Sequence, residues 1–504
     1  MAAPHAAGLA ALLVSGLAAQ HRPISALRIR QALMTTAQPL DGLSIIDQGA
    51  GLPDVGRAWA WLGRNAAWTP YFVSAIGRDG TPAGTAAFRG DGLAPGDTLQ
   101  RFVLTPAEGG TTPLTEYSLR SDARWLSLDR RSGRAPLREV TVAYDAAALR
   151  APGLYIGTVT VWSRDTMAGP VARLVNTVVV PAPAGSGVSV ATVPLAAGLE
   201  RRWSFGAQAG RPFAVEIASA SAKDVIRAYL HEPGGQPFRG GNELEGSAGE
   251  NAARFRLDAR DVVTGNYEAV AAAPPISASS AGVRITQAPF TFTADLRGGK
   301  PIAALRNLTA SPVEVQVDAR IIGAALRTGV SGRGADSGRY VFAVPAWVRK
   351  IQVDLQMAPS EWPRFTDFGV TLLDADGRQI AKSPLNYAFG RLETELPQAW
   401  SGGPVTLALF PGWAVAGQDQ VWSVDAEVRL YGGDSSAVAL VPAGDAAFTL
   451  APAQADAVTF VPQPPPWALP DGFVPLLLYT ATVDRDDAWT RESPLLPAPT
   501  PLMR

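Results

Sequence analysis

Residues 1–20, MAAPHAAGLAALLVSGLAAQ, constrain this chain more than any other stretch. From Ala6 to Ala19 the apolar side chains run without a charge and without a polar stripe. A helix of that kind has no solvent face and belongs inside a large protein, with partners all round. Pro4 suits its first turn, where a missing N–H forfeits no hydrogen bond. The stretch is therefore a buried helix or a segment removed on secretion. Residues 6–19 have the length of a signal-peptide apolar region, with Leu17-Ala18-Ala19 as a cleavage site. Against secretion, no Lys or Arg precedes Ala6, only His5.

The next forty residues continue in helical texture. Ser25 can cap a helix running to about Ala37, with Ala26, Ile29, Leu33 and Ala37 on one face. A Gly49-x-Gly51-x-x-Asp54 pattern follows. Pro53 is expected as the first residue of another helix, whose apolar face is Val55, Trp59 and Leu62. As a dinucleotide fingerprint the two glycines fail: no strand leads into them and no third Gly follows.

These residues carry a resemblance. Met1, Ala2, Ala3, Pro4, His5 and Gly8 resemble the end of the nucleophile motif of subtilisin-like serine peptidases, Gly-Thr-Ser-Met-Ala-x-Pro-His-x-x-Gly. In that family the catalytic Ser immediately precedes the Met, at the start of a buried central helix. The helix ending near Ala37 resembles the one that follows it. Gly49, Gly51 and Asp54 resemble the motif before the family's last catalytic-domain helix. The resemblance implies that the nucleophile would fall just before Met1, and that the acid, the base and the oxyanion Asn lie further upstream. No catalytic residue is then expected in this chain. By the same resemblance His5 is a buried packing residue bonded to backbone, not the base.

Composition narrows the remaining classes. A chain of 504 residues suits three or four domains, taking about 150 residues each. With 47% hydrophobic and 18% charged residues it reads as folded. A net charge of −1 offers no electrostatic case for nucleic acid or a membrane surface. There is no Cys, and the three His, at 5, 21 and 231, lack metal-ligand spacing, so neither a metal nor a cofactor is expected. No apolar run reaches the roughly 20 residues that span a bilayer. The compartment stays open.

Beyond Trp68 the period changes to alternation between Gly, Pro and Asp turns, as at 140–144, 154–161 and 173–180. Short strands at this spacing indicate antiparallel sandwiches. The expected fold class is mixed: a short helical remnant of a subtilisin-like α/β domain (1–66), then mainly-β sandwich domains at 67–183, 188–288 and 289–445. A linker is expected at 181–187. The second domain is marked by Trp203 and Phe205, then Phe213, Val215 and Ile217. The third has strands at 313–317, 340–344, 351–355 and 369–373. Residues 446–504 read as a Pro-rich terminal segment with one or two strands. This order resembles the tripeptidyl-peptidase-II-like subtilases, in which β-sandwiches follow the catalytic domain; Trp125-Leu126, the strand entry at 152–157 and the hairpin at 368–377 carry that part.

Other features read as structure rather than chemistry. Asp374-Ala375-Asp376-Gly377 is a hairpin turn, since the further ligands of a calcium loop are missing. Gly433-Asp434-Ser435 lacks the rest of a chymotrypsin-type motif. Arg130-Arg131 and Arg201-Arg202 suit solvated strand ends or turns. Trp347, Trp362, Trp400, Trp413 and Trp422 suit sandwich cores rather than a sugar platform. Asn307-Leu308-Thr309 is a glycosylation pattern of the kind that arises by chance. Expected partners are a peptide or protein substrate through the parent enzyme, with a separate catalytic half or a second copy left open. The rival class is a secreted, non-catalytic β-sandwich binding protein with residues 1–19 as its signal. A further expectation is that residues 1–62 are poorly supported, because five aliphatic side chains between Leu9 and Leu17 need cover.

Overall fold

The computed structural model describes residues 2–64, 71–107, 114–128, 132–133, 136–163, 169–183, 185, 187–221, 224–238, 244–245, 252–413, 420–433, 436–483 and 487–495. Met1, Arg130-Arg131 and Asp434-Ser435 lie outside these, as does the Trp413 side chain. The protein is mainly β, with four short helices among the described residues. It divides into two compact units, Met1–Pro181 and Ala182–Arg504.

The first unit opens with α1 (Ala2–Ala19), α2 (Ala26–Thr36), α3 (Ile45–Gln48) and α4 (Val55–Arg64). Ser25 caps α2 as its sequence predicts, its hydroxyl accepting from the Arg28 N–H at 3.3 Å. Helix α4 starts later than expected, because Asp54 rather than Pro53 sets its first turn. The Asp54 carboxylate accepts from the Arg57 N–H at 2.9 Å, and its carbonyl from Ala58 at 3.0 Å. The buried face of α4 is Ala58, Trp61 and Leu62, while Trp59 turns aside to lie against Gly16 of α1.

Two five-stranded sheets complete this unit. One orders Pro82–Gly84, Tyr71–Ile76, Leu99–Pro106, Glu139–Tyr144 and Leu126–Leu128; the other orders Ala87–Arg89, Pro170–Val180, Gly153–Ser163, Tyr117–Ser121 and Ser132–Gly133. Alternation decides the faces: in Glu139–Tyr144 every second residue, Val140, Val142 and Tyr144, is buried. They pack with Phe102, Val159, Val161 and Leu174. Tyr144 can be buried because its hydroxyl donates to Asn176 Oδ1 at 2.9 Å.

The second unit begins with a sandwich of two four-stranded sheets between Val188 and Gln287. Phe205, Phe213 and Tyr267 meet at its centre with ring centroids 5.0–5.8 Å apart. Within the expected linker, Ala182 is buried and bridges to Phe205. The remainder holds two hydrophobic cores joined by one 21-residue strand, Val313–Arg333. At about 3.4 Å per residue such a strand is too long for one sandwich. Val313 to Ile321 line one core, and Ala324 to Val330 the other. Gly323 sits at the changeover, where a Cβ would lie 2.0 Å from the Leu430 carbonyl oxygen. Among the described residues, 446–504 contribute four strands, Ala447–Leu450, Ala455–Val461, Val474–Val483 and Asp487–Pro494, rather than one or two. They pair with Val313–Arg333, with Lys300–Asn307 or with each other. The prolines of 462–470 fall between strands, where no ladder N–H is needed.

Candidate functional site

Two places gather residues whose chemistry calls for an account: the N-terminal helices and a buried set of charges in the second unit. In the first, Ala3, Pro4, His5 and Gly8 occupy the opening turns of α1, all of them exposed. His5 is thus not the buried residue expected of it; among the described side chains α1 buries only Leu13 and Leu17, near its other end. Leu12 keeps 61% of its surface exposed, and Val14 is exposed too. A helix with no polar stripe is left with solvent on most of its circumference.

The Gly49-x-Gly51-x-x-Asp54 pattern has a local explanation at each residue. Gly49 ends α3 at a φ of 62°, its N–H donating to the Ile45 carbonyl at 2.8 Å. Gly51 has a φ of 107°, and a Cβ there would stand 2.3 Å from the Gln38 carbonyl oxygen. That approach permits the reciprocal bonds between Gln38 and Leu52, both 2.8 Å, which tie the turn to the end of α2. Asp54 then caps α4. The pattern closes a helical turn onto its neighbour.

In the second unit, residues 258–261 bring a loop against four strands. Arg391 bonds Asp354 at 2.5 Å and Asp261 at 3.2 Å, while Arg260 reaches Asp354 at 3.2 Å and Asp261 at 3.4 Å. Arg429, almost fully buried, pairs with Glu427 and with Glu492 at 2.6 Å. The Tyr431 hydroxyl donates to Glu492 at 2.9 Å. Arg391 holds Asp354 below the usual carboxylate range despite its burial. Asp258 stands apart: its oxygens accept from the main-chain N–H groups of Arg260, 2.9 Å, and Glu492, 3.0 Å, and among the described residues no guanidinium is ion-paired to it. Burial, added to by Glu492 and Asp261, pushes its carboxyl up to about 7.

Among the described residues of the cluster the one hydroxyl is the Tyr431 phenol, and no Ser or Thr stands against a base. His231 Nδ1 lies 3.0 Å from Glu268, which Arg202 also pairs at 2.8 Å, so that ring is engaged by a carboxylate. The charges instead pin the 258–261 loop to the strands that carry Asp354, Arg391, Arg429 and Glu492. Sequence reading missed this set, because its members are scattered over more than two hundred positions and meet only through strand pairing. The turn at 374–377 is a hairpin: Asp374 Oδ1 accepts from the N–H groups of Asp376 and Arg378 at 2.9 and 2.8 Å. Asn307 is buried, its amide donating to the Ser311 and Leu450 carbonyls at 2.8 and 2.9 Å. Trp422 is buried, and Trp347, Trp362 and Trp400 pack on the same core. Among the described residues no group of three or more acidic or His side chains could hold a metal ion, and no helix is long and apolar enough to cross a membrane.

By architecture this is a mainly-β, multi-sandwich chain with a short helical segment at one end. Its fold is similar to that of tripeptidyl peptidase 2 (TPP II) in crystal structure, with a TM-score of 0.58 and 15% identity. The likeness covers 97% of this chain and 46% of that one, so the chain spans about half the length of that neighbour. At this identity what is shared is the fold. The ANX2 ectodomain of Arabidopsis thaliana (8% identity, 48% and 83% of the two chains) and a Bacteroides ovatus glucan-locus protein, SGBP-B (10%, 68% and 71%), align at TM-scores of only 0.15 and 0.17, too low to bear on this chain. No family model matches the sequence. No curated protein matches it either.

Proposed function

We propose that this chain is the C-terminal part of a subtilisin-like serine peptidase, its nucleophile standing immediately before the position of Met1. The observation that carries the reading is α1: a helix apolar on every face, with the motif residues in its first turns and, among the described side chains, only Leu13 and Leu17 buried. Such a helix is suited to a parallel sheet and flanking helices that would cover the rest of it. The TPP II-like fold over 97% of the chain supports the same reading. The parent would hydrolyse peptide bonds through an acyl-enzyme on that Ser, with a base and an orienting acid from upstream sequence. The β-domains would serve stability, assembly or substrate access, with a separate catalytic half or a second copy as candidate partners.

The packing of Trp59 on Gly16 and of Leu13 and Leu17 on α2 and α4 favours this over a cleaved leader. A fluorophosphonate probe tests it. The chain alone should not label. A protein extended upstream through Gly-Thr-Ser in the same reading frame should label and cleave peptides, and Ser→Ala should abolish both. Upstream sequence without that motif, or a mature protein starting near Gln20, would overturn the proposal in favour of a secreted binding protein.

A further inference from the structure

Within the first unit, α2, α3 and the first sandwich enclose a cavity of about 290 Å³. Leu27, Ile45, Tyr71, Val171 and Val175 are among the side chains that line it. Phe72 and Met34, also on its wall, keep 47% and 37% of their surfaces exposed. Among the described residues the charged side chains on this wall are two guanidiniums, Arg30 and Arg173. Among the described residues neither is ion-paired to a carboxylate, and the bond from Arg173 goes to the Met34 main-chain carbonyl at 3.3 Å. Burial lowers the pKa of Arg173, with no opposing charge to raise it. A half-buried guanidinium without a counter-ion loses hydration that one main-chain carbonyl replaces only in part.

The backbone adds a second observation. Strand Tyr71–Ile76 has a neighbour on both sides only at Ala75; Tyr71 to Ser74 pair with Leu99–Pro106 alone, and Ile76 with Pro82 alone. Likewise Pro170–Val180 meets Ala87–Arg89 only at Asn176 to Val178, which leaves 172–175 paired on one side, with Val171 in a bulge. Both one-sided stretches contribute to the cavity wall. An open strand edge offers main-chain donors and acceptors to an added extended segment.

We propose that this cleft binds a short apolar peptide by its C-terminal carboxylate, held by Arg30 and Arg173, with its backbone along the open edge of Tyr71 to Ser74 or of 172–175. Carboxylate and guanidinium are matched in charge and in planar, two-pronged geometry. The volume lies at the small end of ligand pockets, about 300–1,000 Å³, which restricts the occupant to a short segment. The site uses no catalytic residue and does not rest on the peptidase reading, so the two stand or fall separately.

Calorimetric titration of the full chain with N-acetyl-Val-Leu, its C-terminal amide and octanoate tests this. The free acid should bind at least about tenfold more tightly than the amide, the loss of one charge-assisted bond. Arg30→Gln and Arg173→Gln should each weaken the acid about tenfold and leave the amide unchanged. Octanoate, with the charge and no peptide backbone, should bind more weakly than the acid. Arg30 is exposed, so its variant should keep the parent melting temperature and decides the matter if Arg173→Gln fails to fold. Equal binding of acid and amide, no effect of Arg30→Gln, octanoate as tight as the peptide, or no binding at millimolar concentration would each overturn the proposal.

Discussion

At the scale of single residues, Asp258 makes the sharpest prediction. Its carboxyl titrates near 7 in the folded protein and near 3.8 when free, so between those values the folded state holds the extra proton. Stability contributed by this group therefore falls as pH rises across that window, by up to about 4 kcal/mol. Urea midpoints should drop between pH 5 and pH 8 in the parent, and the drop should be smaller in Asp258→Asn. A parallel pH dependence in the two proteins would refute the assignment. Gly51→Ala should cost at least about 2 kcal/mol in thermal unfolding of the helical segment, through positive φ and a backbone collision together. Asp54→Ala should cost about 1 kcal/mol as a lost N-cap. Gly49 and Asp54 were legible in sequence as parts of a motif, and Ser25 as a cap, because each acts on backbone within three or four residues; Gly51 shared the motif, but the close approach that requires it is to Gln38, thirteen residues away. The exposure of His5 was not, since burial is set by what packs against a turn and not by the turn.

At the scale of elements, α1 and the strand Val313–Arg333 are opposites. Helix α1 buries two leucines in a small core of Leu13, Leu17, Ile29, Ala32, Ala58, Trp61 and Leu62. Its amides should exchange with deuterium faster than those of Glu139–Tyr144 or Gly153–Ser163, whose side chains fill a larger core. Protection in α1 as strong as in those strands would refute its being under-packed. Leu12→Ser should be neutral within about 0.5 kcal/mol in this chain, while Leu13→Ala should cost about 2–5 kcal/mol. Val313–Arg333 belongs to two cores, so its alternation must serve both. Only 313–317 stood out as a strand in sequence, because Gly323, Gly329 and Gly332 interrupt the apolar pattern further along. The structure shows why one break is needed: the chain passes against Leu430 at Gly323, where any side chain would collide.

At the scale of the molecule, the charge network of Arg260, Asp261, Asp354, Arg391, Glu427, Arg429 and Glu492 holds a loop of one sandwich against the strands of the next. Arg429→Met leaves Glu427 and Glu492 in low-dielectric surroundings with one fewer partner. It should cost about 3–5 kcal/mol, seen as a lower urea midpoint, with recovery when Glu492→Gln is added. The change of texture from helical to alternating near Trp68, the fold class, the capped helix after Ser25, the hairpin at Asp374 and the alternating faces of single strands all follow from the amino-acid sequence alone. Each rests on a period or a turn rule that acts over a few residues. What only the tertiary structure decided is which strands share a core, that residues 447–494 close the sheets begun near 290–333, where the buried charges come together, and that Arg30 and Arg173 line one cavity. Those are pairings between positions tens to hundreds of residues apart, chosen by mutual burial and charge, and no local pattern encodes a partner at that distance.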